Sequence, residues 1–441
     1  MYTIMIRVLW AKQLSYSLLR NRGQDPESFQ LLGQSNHLLA PRTEQSSFSF
    51  LLAHRTEQSS ISFLLAPRAE QSSKINIDEI GYRTLTIPET LPLLLFVDMD
   101  GFRHDYLERL DQTKIPNFRF FIDNGVKARC VRNIFPSVTF ANQMTLMTGL
   151  YAESHGVVQN NFYDPVFNET FYMEILHQNF ESKWFDNGGE PIWATNEKAG
   201  HRRHSGVILL PGNLAPIKGV HQKILLNSYL YNTTEEIPYN FRIDTIINWF
   251  IDSSNPINFG VLYFPEPDES GHYFGPDSKI IDEKIYELDN ALGYLRHKLE
   301  VHGLFKKINI IITSDHGMVK YQNKSVNLDT ILDRSFYRTV SEGRNVVTQI
   351  IPKPGKEDLV YKTLLKHQEG MYVYRKGSQE LRKLHFNDNR RIMPIVLEPK
   401  KGWIIGNNDT IAKFEDKGLH GYDPQKVSDV RPFFIAYGSS V

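Results

Sequence analysis

Cysteine is almost missing from this chain. The single Cys130 excludes an internal disulfide framework and a cysteine-built zinc module, so any zinc must be held by histidines and carboxylates. Net charge is missing as well. Fifty lysines and arginines balance 50 aspartates and glutamates, so no global field exists to hold a nucleic acid polymer or an anionic membrane, and phosphate recognition has to be local. No run of 18 apolar residues occurs, which leaves no candidate membrane span. Arg7 and Lys12 interrupt the weakly apolar N-terminus, so a signal peptide is not evident.

What the chain has is enough apolar material for a sizeable core: 41% of 441 residues are hydrophobic and 23% are charged, an ordinary globular balance. Residues 38–76 repeat with a period of 13 (LLAPRTEQSSFSF, LLAHRTEQSSISF, LLAPRAEQSSKIN). That period fits no solenoid, and the Ser and Gln content reads as disorder. The expected organisation is a low-complexity segment over 1–78 and one catalytic domain over 79–441. Asn-x-Ser/Thr sequons at Asn168, Asn232, Asn323 and Asn408 would be glycan acceptors in a secreted protein.

Three apolar runs decide the architecture, because each ends in aspartate. LLLFVDMD closes on Asp100, FGVLYFPEPD on Asp268 and INIIITSD on Asp315. Short apolar runs flanked by helical segments read as buried strands of a mainly parallel sheet, an α/β fold with helices on both faces. Ile281, Ile285, Leu288, Leu292, Leu295 and Leu299 recur at spacings of four and three, the apolar face of a helix joining the last two strands. Ligand sites in such folds lie at the carboxyl ends of strands. Three carboxylates gathered there repel one another unless a cation neutralises them.

Histidines stand beside these carboxylates: His272 follows Asp268 by four, His316 follows Asp315 directly, and His420 sits in the turn GLHGYDP. Asp and His are ligands that zinc accepts. An aspartate after a strand also serves as a helix N-cap, the alternative for Asp100. Thr139 opens an amphipathic stretch, 139–149, whose N-terminal N–H groups would face a phosphoryl oxygen.

Five segments together, DGFRHDYL (100–107), TFANQMTLMTGLYAESHGVVQNNFYDP (139–165), EPDESGHYFGPDS (266–278), TSDHGM (313–318) and LHGYDP (419–424), resemble the successive motifs of the ectonucleotide pyrophosphatase/phosphodiesterase family of the alkaline phosphatase superfamily. The likeness runs from about Leu91 to Ala436. PINFGVLYFPEPD and GWIIGNNDT look most like its member-five and member-four branch.

The resemblance implies an alkaline-phosphatase-like fold and a zinc-dependent hydrolase of nucleotide-like phosphodiesters or pyrophosphates. One Zn2+ would be bound by Asp268, His272 and His420. A second would be bound by Asp100, Asp315, His316 and the nucleophile Thr139, with Asp100 preferred to Asp98. It further implies a covalent threonine intermediate, an oxyanion-binding amide at Asn160 and an aromatic sandwich of Phe140 and Tyr231 for the leaving group. Asn160 otherwise reads as a turn residue, and the two aromatics as core. The family also implies an extracellular or cell-surface location, usually with a membrane anchor.

Two departures stand out. Val138-Thr139-Phe140-Ala141-Asn142-Gln143-Met144 replaces the family's Lys-Thr-Phe-Pro-Asn-His-Tyr, and AYGSSV stands where relatives read Ala-His-Gly and continue, so the chain is expected to stop early. The rival readings are a choline-phosphodiester or lysophospholipid phosphodiesterase on the same scaffold, and a weakly active cell-surface interaction protein. Sulfatase chemistry is disfavoured, since Cys130-Val131-Arg132-Asn133 lacks the Cys-x-Pro-x-Arg pattern.

Overall fold

Buried on both faces, a seven-stranded sheet carries the chain's chemistry. The computed structural model describes residues 91–200, 202–210, 212–225, 237–341 and 346–438, with three strands of the preceding segment. The sheet strands are β1 (Leu93–Met99), β2 (Val126–Lys127), β3 (Ser205–Ile208), β4 (Lys223–Leu225), β5 (Phe259–Phe264), β6 (Ile308–Thr313) and β7 (Phe434–Tyr437). Their order is β2-β7-β6-β1-β5-β3-β4. β6, β1, β5, β3 and β4 run parallel, while β7 is antiparallel to both its neighbours. The expected mainly parallel α/β architecture is therefore present.

Alternation along the strands explains why the runs are continuously apolar. In β1, Leu94 and Phe96 enter one core while Leu95, Val97 and Met99 enter the other. β5 and β6 divide in the same way, as strands covered on both faces must. Helix α1 (Thr139–Thr148) lies in the first core. The second core takes α2 (Tyr239–Phe250) and α4 (Lys279–Val301), while the short α3 (Asp268–Phe274) follows β5 directly. All six predicted positions of α4 are at most 1% exposed.

Beyond β6 the chain builds a second, four-stranded antiparallel sheet, ordered Tyr337–Val340, Thr348–Pro352, Ile395–Pro399, Met371–Arg375. Ile350, Ile395 and Leu397 pack there with Val360 and Leu364 of the helix Glu357–Leu364. The connection before Ile395 carries Arg390 and Arg391, which return to the first core.

The compact unit bearing these elements takes in Pro92–Val441. Leu18–Leu91 is a separate unit. In it the repeat is not wholly irregular: Phe50–Arg55 and Ile61–Leu65 pair antiparallel, and Arg83–Leu85 joins as a third strand. FLLA and ISFLL are rich in apolar residues that suit a strand. The remainder of 1–78 lies outside the described residues. No described helix is long and apolar enough to cross a membrane.

Candidate active site

Because β6, β1 and β5 are adjacent and parallel, the aspartates that follow them meet at one end of the sheet. Backbone bonds fix the meeting: Asp100 N–H donates to Phe264 O (2.9 Å) and Asp268 N–H to Asp100 O (3.0 Å). Gly101 N–H donates to Asp315 Oδ1 at 3.3 Å. Gly101 has φ +67°, and a Cβ there would stand 2.6 Å from Asp268 Cβ. Only glycine permits both the backbone conformation and the approach of the two aspartate-bearing loops.

The histidines are oriented by backbone carbonyls. His272 Nδ1 lies 3.0 Å from Gly418 O, His420 Nδ1 3.0 Å from Ser137 O, and His316 Nδ1 2.9 Å from Gly317 O. A carbonyl can only accept, so each Nδ1 carries the proton and each Nε2 presents a lone pair. Those lone pairs converge on acceptors. His316 Nε2 is 3.4 Å from Asp100 Oδ1 and 3.3 Å from Asp315 Oδ2, and His272 Nε2 is 3.4 Å from Asp268 Oδ2. His420 Nε2 lies 3.1 Å from His272 Nε2 and 3.8 Å from Asp268 Oδ1.

Nothing among the described residues satisfies several of these atoms. Asp98 Oδ1, Asp100 Oδ1, Asp268 Oδ1 and Asp315 Oδ2 are buried without a hydrogen-bond partner, a costly state for carboxylates. Acceptors facing acceptors in a buried site fit cations. Two groupings have ligand atoms all within 4.8 Å of one another, Asp268–His316–His420 and Asp100–Asp315–His316. The second gathers three of the four residues that the resemblance assigns to one zinc. In the first, His316 appears where His272 was expected, yet His272 Nε2 also reaches Asp268 and His420, so it borders the same position.

Charge states follow from burial. Burial, then the neighbouring Asp315 charge, raises the carboxyls of Asp98 and Asp100, and burial chiefly raises Asp315 itself. His420 is lowered, by burial first and then by His316.

Thr139 is the first residue of α1, and its Oγ1 lies 3.1 Å from His316 Nε2. Asn160 Oδ1 accepts the Phe140 N–H at 2.9 Å. That bond fixes which end of the amide faces the start of α1, with Oδ1 toward the Phe140 N–H. It also takes up one of the helix N–H groups expected to face a phosphate. Asp100 reaches His316, whereas Asp98 Oδ2 accepts from Gln143 Nε2 at 3.0 Å.

Phe140 is 5% exposed and packs 5.8 Å from Phe171 and 6.3 Å from Phe185, so most of its ring is core. Tyr231 and Asn232 lie outside the described residues. Asn168, Asn323 and Asn408 are exposed.

Three supporting side chains escaped the sequence reading. Tyr263 O–H donates to Asp100 Oδ2 at 2.5 Å. Its position on β5, one residue before the strand end and registered opposite Asp98, was the available signal. Ser137 Oγ donates to Tyr422 O and accepts from Gly421 N, tying the His420 turn to the approach of Thr139. Asn142 holds that approach from within α1, accepting from Ile134 N and donating to Pro136 O and Val138 O.

Residues 94–423 match the family model described as type I phosphodiesterase/nucleotide pyrophosphatase. The chain is 38% identical over 348 residues to ectonucleotide pyrophosphatase/phosphodiesterase family member 5 of Homo sapiens, covering 78% of this chain and 69% of that protein. It is 36% identical over 360 residues to the bis(5'-adenosyl)-triphosphatase enpp4 of Mus musculus, covering 81% and 74%. A solved structure of murine member 5, an inactive threonine-to-alanine variant in complex with AMP, superposes with a TM-score of 0.71 at 35% identity, covering 79% of this chain and 88% of that one.

Proposed function

Since the chain belongs to the type I phosphodiesterase/nucleotide pyrophosphatase family, and is thereby a hydrolase of that class, we propose that Thr139 is its covalent nucleophile, working in a two-zinc site on nucleoside phosphodiesters and phosphoanhydrides. One observation carries the reading: Thr139 Oγ1 stands 3.1 Å from His316 Nε2, whose lone pair also faces Asp100 and Asp315.

Asp100, Asp315, His316 and Thr139 would hold one zinc, and Asp268, His272 and His420 the other. When bound, the pair would supply Lewis acidity, favouring the deprotonated hydroxyl and neutralising charge on the attacking and leaving oxygens. Thr139 Oγ1 forms a bond to phosphorus as the bond to the leaving oxygen breaks, and water later releases the nucleotide from the threonine. Asn160 Nδ2 donates to the phosphoryl oxygen on which charge gathers. Phe140, the residue after Thr139, contributes a ring edge to the leaving-group pocket, and the resemblance assigns Tyr231 to the same pocket.

The names of the mouse relative and of the AMP complex of murine member 5 point to adenine nucleotides, bis(5'-adenosyl) triphosphate among them. The same reading places the protein at the cell surface, where Asn168, Asn323 and Asn408 are exposed for glycan transfer.

Thr139→Ala tests the mechanism. Turnover of a nitrophenyl ester of a nucleoside monophosphate is expected to fall by at least ~10³-fold, with metal content retained. Acid quench of the unmodified enzyme should trap a nucleotidyl adduct on the peptide containing Thr139. Undiminished turnover in the variant removes the proposal. A glycosidase-sensitive mass shift on secreted protein checks the location.

A further inference from the structure

Arg391 is fully buried, an unusual state for a guanidinium. Its partners are not scattered. Nε donates to Asp164 Oδ2 (2.6 Å), NH1 to Gly156 O (2.7 Å) and Trp184 O (2.7 Å), and NH2 to Lys183 O (2.9 Å). Gly156 and Asp164 lie four residues before and four residues after Asn160, so one side chain spans the loop that presents the amide. Trp184 precedes Phe185, whose ring stacks on Phe140. Two of the groups that touch Phe140, the Asn160 amide and the Phe185 ring, are thus moored to the same guanidinium, Phe171 being the third.

Neighbouring residues of the same connection grip the loop independently. Asn389 Nδ2 donates to Glu153 O at 2.9 Å. Met393 N–H donates to Gln349 Oε1 (2.8 Å), and Gln349 Nε2 donates to Gln159 Oε1 (3.1 Å), one residue before Asn160. Arg390 forks onto Asp164 from the outside, at 2.8 to 3.1 Å. Burial lowers Arg391 to about 10, against its hydrogen bond to Asp164, while Asp164 is held at about 2 by the two arginines despite its burial. The pair is ionised across the working range.

A buried ion pair is a poor source of net stability compared with apolar packing. Its distinctive property is geometric, since a planar fork fixes several acceptors at once. An oxyanion donor needs that fixity, because its contribution depends on placement to within a fraction of an ångström.

We propose that Arg391 is a positioning residue for catalysis, and that it sets kcat by holding Asn160 Nδ2 at the phosphoryl oxygen beside Thr139. This rests on the reading of Thr139 and Asn160 given under Proposed function, and it extends that reading to a side chain arriving from the second sheet.

The experiment is a double-mutant cycle of Arg391→Lys and Asn160→Ala, assayed with a nitrophenyl ester of a nucleoside monophosphate at a temperature where melting curves show every variant folded. Lysine keeps the charge and loses the fork. Arg391→Lys is expected to lower kcat by ~10- to 100-fold with KM within about threefold and metal content unchanged. In the Asn160→Ala background the same substitution should cost less than about threefold. Asp164→Asn, which loosens the fork from its acidic side, should show the same coupling and offers a second route into the cycle.

Equal losses in both backgrounds, or an unchanged kcat in Arg391→Lys, overturn the proposal while leaving Thr139 and Asn160 in place. An Asn160→Ala enzyme with full kcat removes the oxyanion reading, and the proposal with it.

Discussion

His272 Nε2 and His420 Nε2 lie 3.1 Å apart, and neither can donate to the other. Both protons are committed at Nδ1, to Gly418 O and Ser137 O. Two lone pairs at that separation fit a shared cation, so the proposed metal site would be part of the folded state and not only of catalysis.

Chelation should therefore lower stability along with turnover. A cation at a thousand times its dissociation constant stabilises by about 4 kcal/mol per site, so dialysis against a strong chelator is expected to lower Tm by on the order of 10 °C. Scanning calorimetry of treated and zinc-restored protein checks this. An unchanged Tm with full metal loss would show that the gathered acceptors are satisfied otherwise.

Tyr263 holds Asp100 from the neighbouring strand. Tyr263→Phe keeps the ring and removes the donor, leaving Asp100 freer to turn. Metal affinity or kcat is expected to drop by ~10- to 100-fold, with Tm nearly unchanged. Titration with a metallochromic competitor separates the affinity effect from a rate effect.

Gly101→Ala sets a methyl group against Asp268. The 2.6 Å approach to Asp268 Cβ and the φ of +67° both oppose it. The predicted outcome is a loss of ~2 kcal/mol or more in urea unfolding and turnover near background, because the two aspartate-bearing loops must separate. An alanine variant of normal stability and rate would contradict the described approach.

His155 gives the pH dependence. It is fully buried; burial depresses it to about 3, against a carbonyl contact at Ala141 and with help from the Arg391 charge. In the unfolded chain it titrates near its ordinary 6.5. Between those values the unfolded state binds the extra proton, so this contribution is complete above about pH 6.5 and is lost as pH falls towards 3. His155→Gln should flatten the stability profile across that window. Urea titrations at several pH values, compared between the two proteins, supply the measurement, and parallel profiles would exclude His155 as the source.

The strand ends were legible because strands buried on both faces spell uninterrupted apolar runs, and each of the three ended on a carboxylate. The face of α4 was legible for the same reason: period and burial are one property. Within the repeat, Phe50–Arg55 and Ile61–Leu65 pair as neighbouring strands, a contact that the period of 13 does not indicate. The resemblance assigns Phe140 to a pocket and its type alone allows the core, and only the fold shows the packing of its ring against Phe171 and Phe185.

By itself the sequence determined the kind of chemistry: which carboxylates end strands, which imidazoles accompany them, and which hydroxyl opens a helix. Tertiary structure alone decided how those groups are held. The Nδ1 protons are fixed by carbonyls of distant turns, Asp100 by a tyrosine of the next strand, and the Asn160 loop by an arginine 227 positions from its aspartate partner. Such contacts depend on where the chain returns in space, and hydrogen bonding at 3 Å leaves no periodic trace in a sequence that records only neighbours along the backbone.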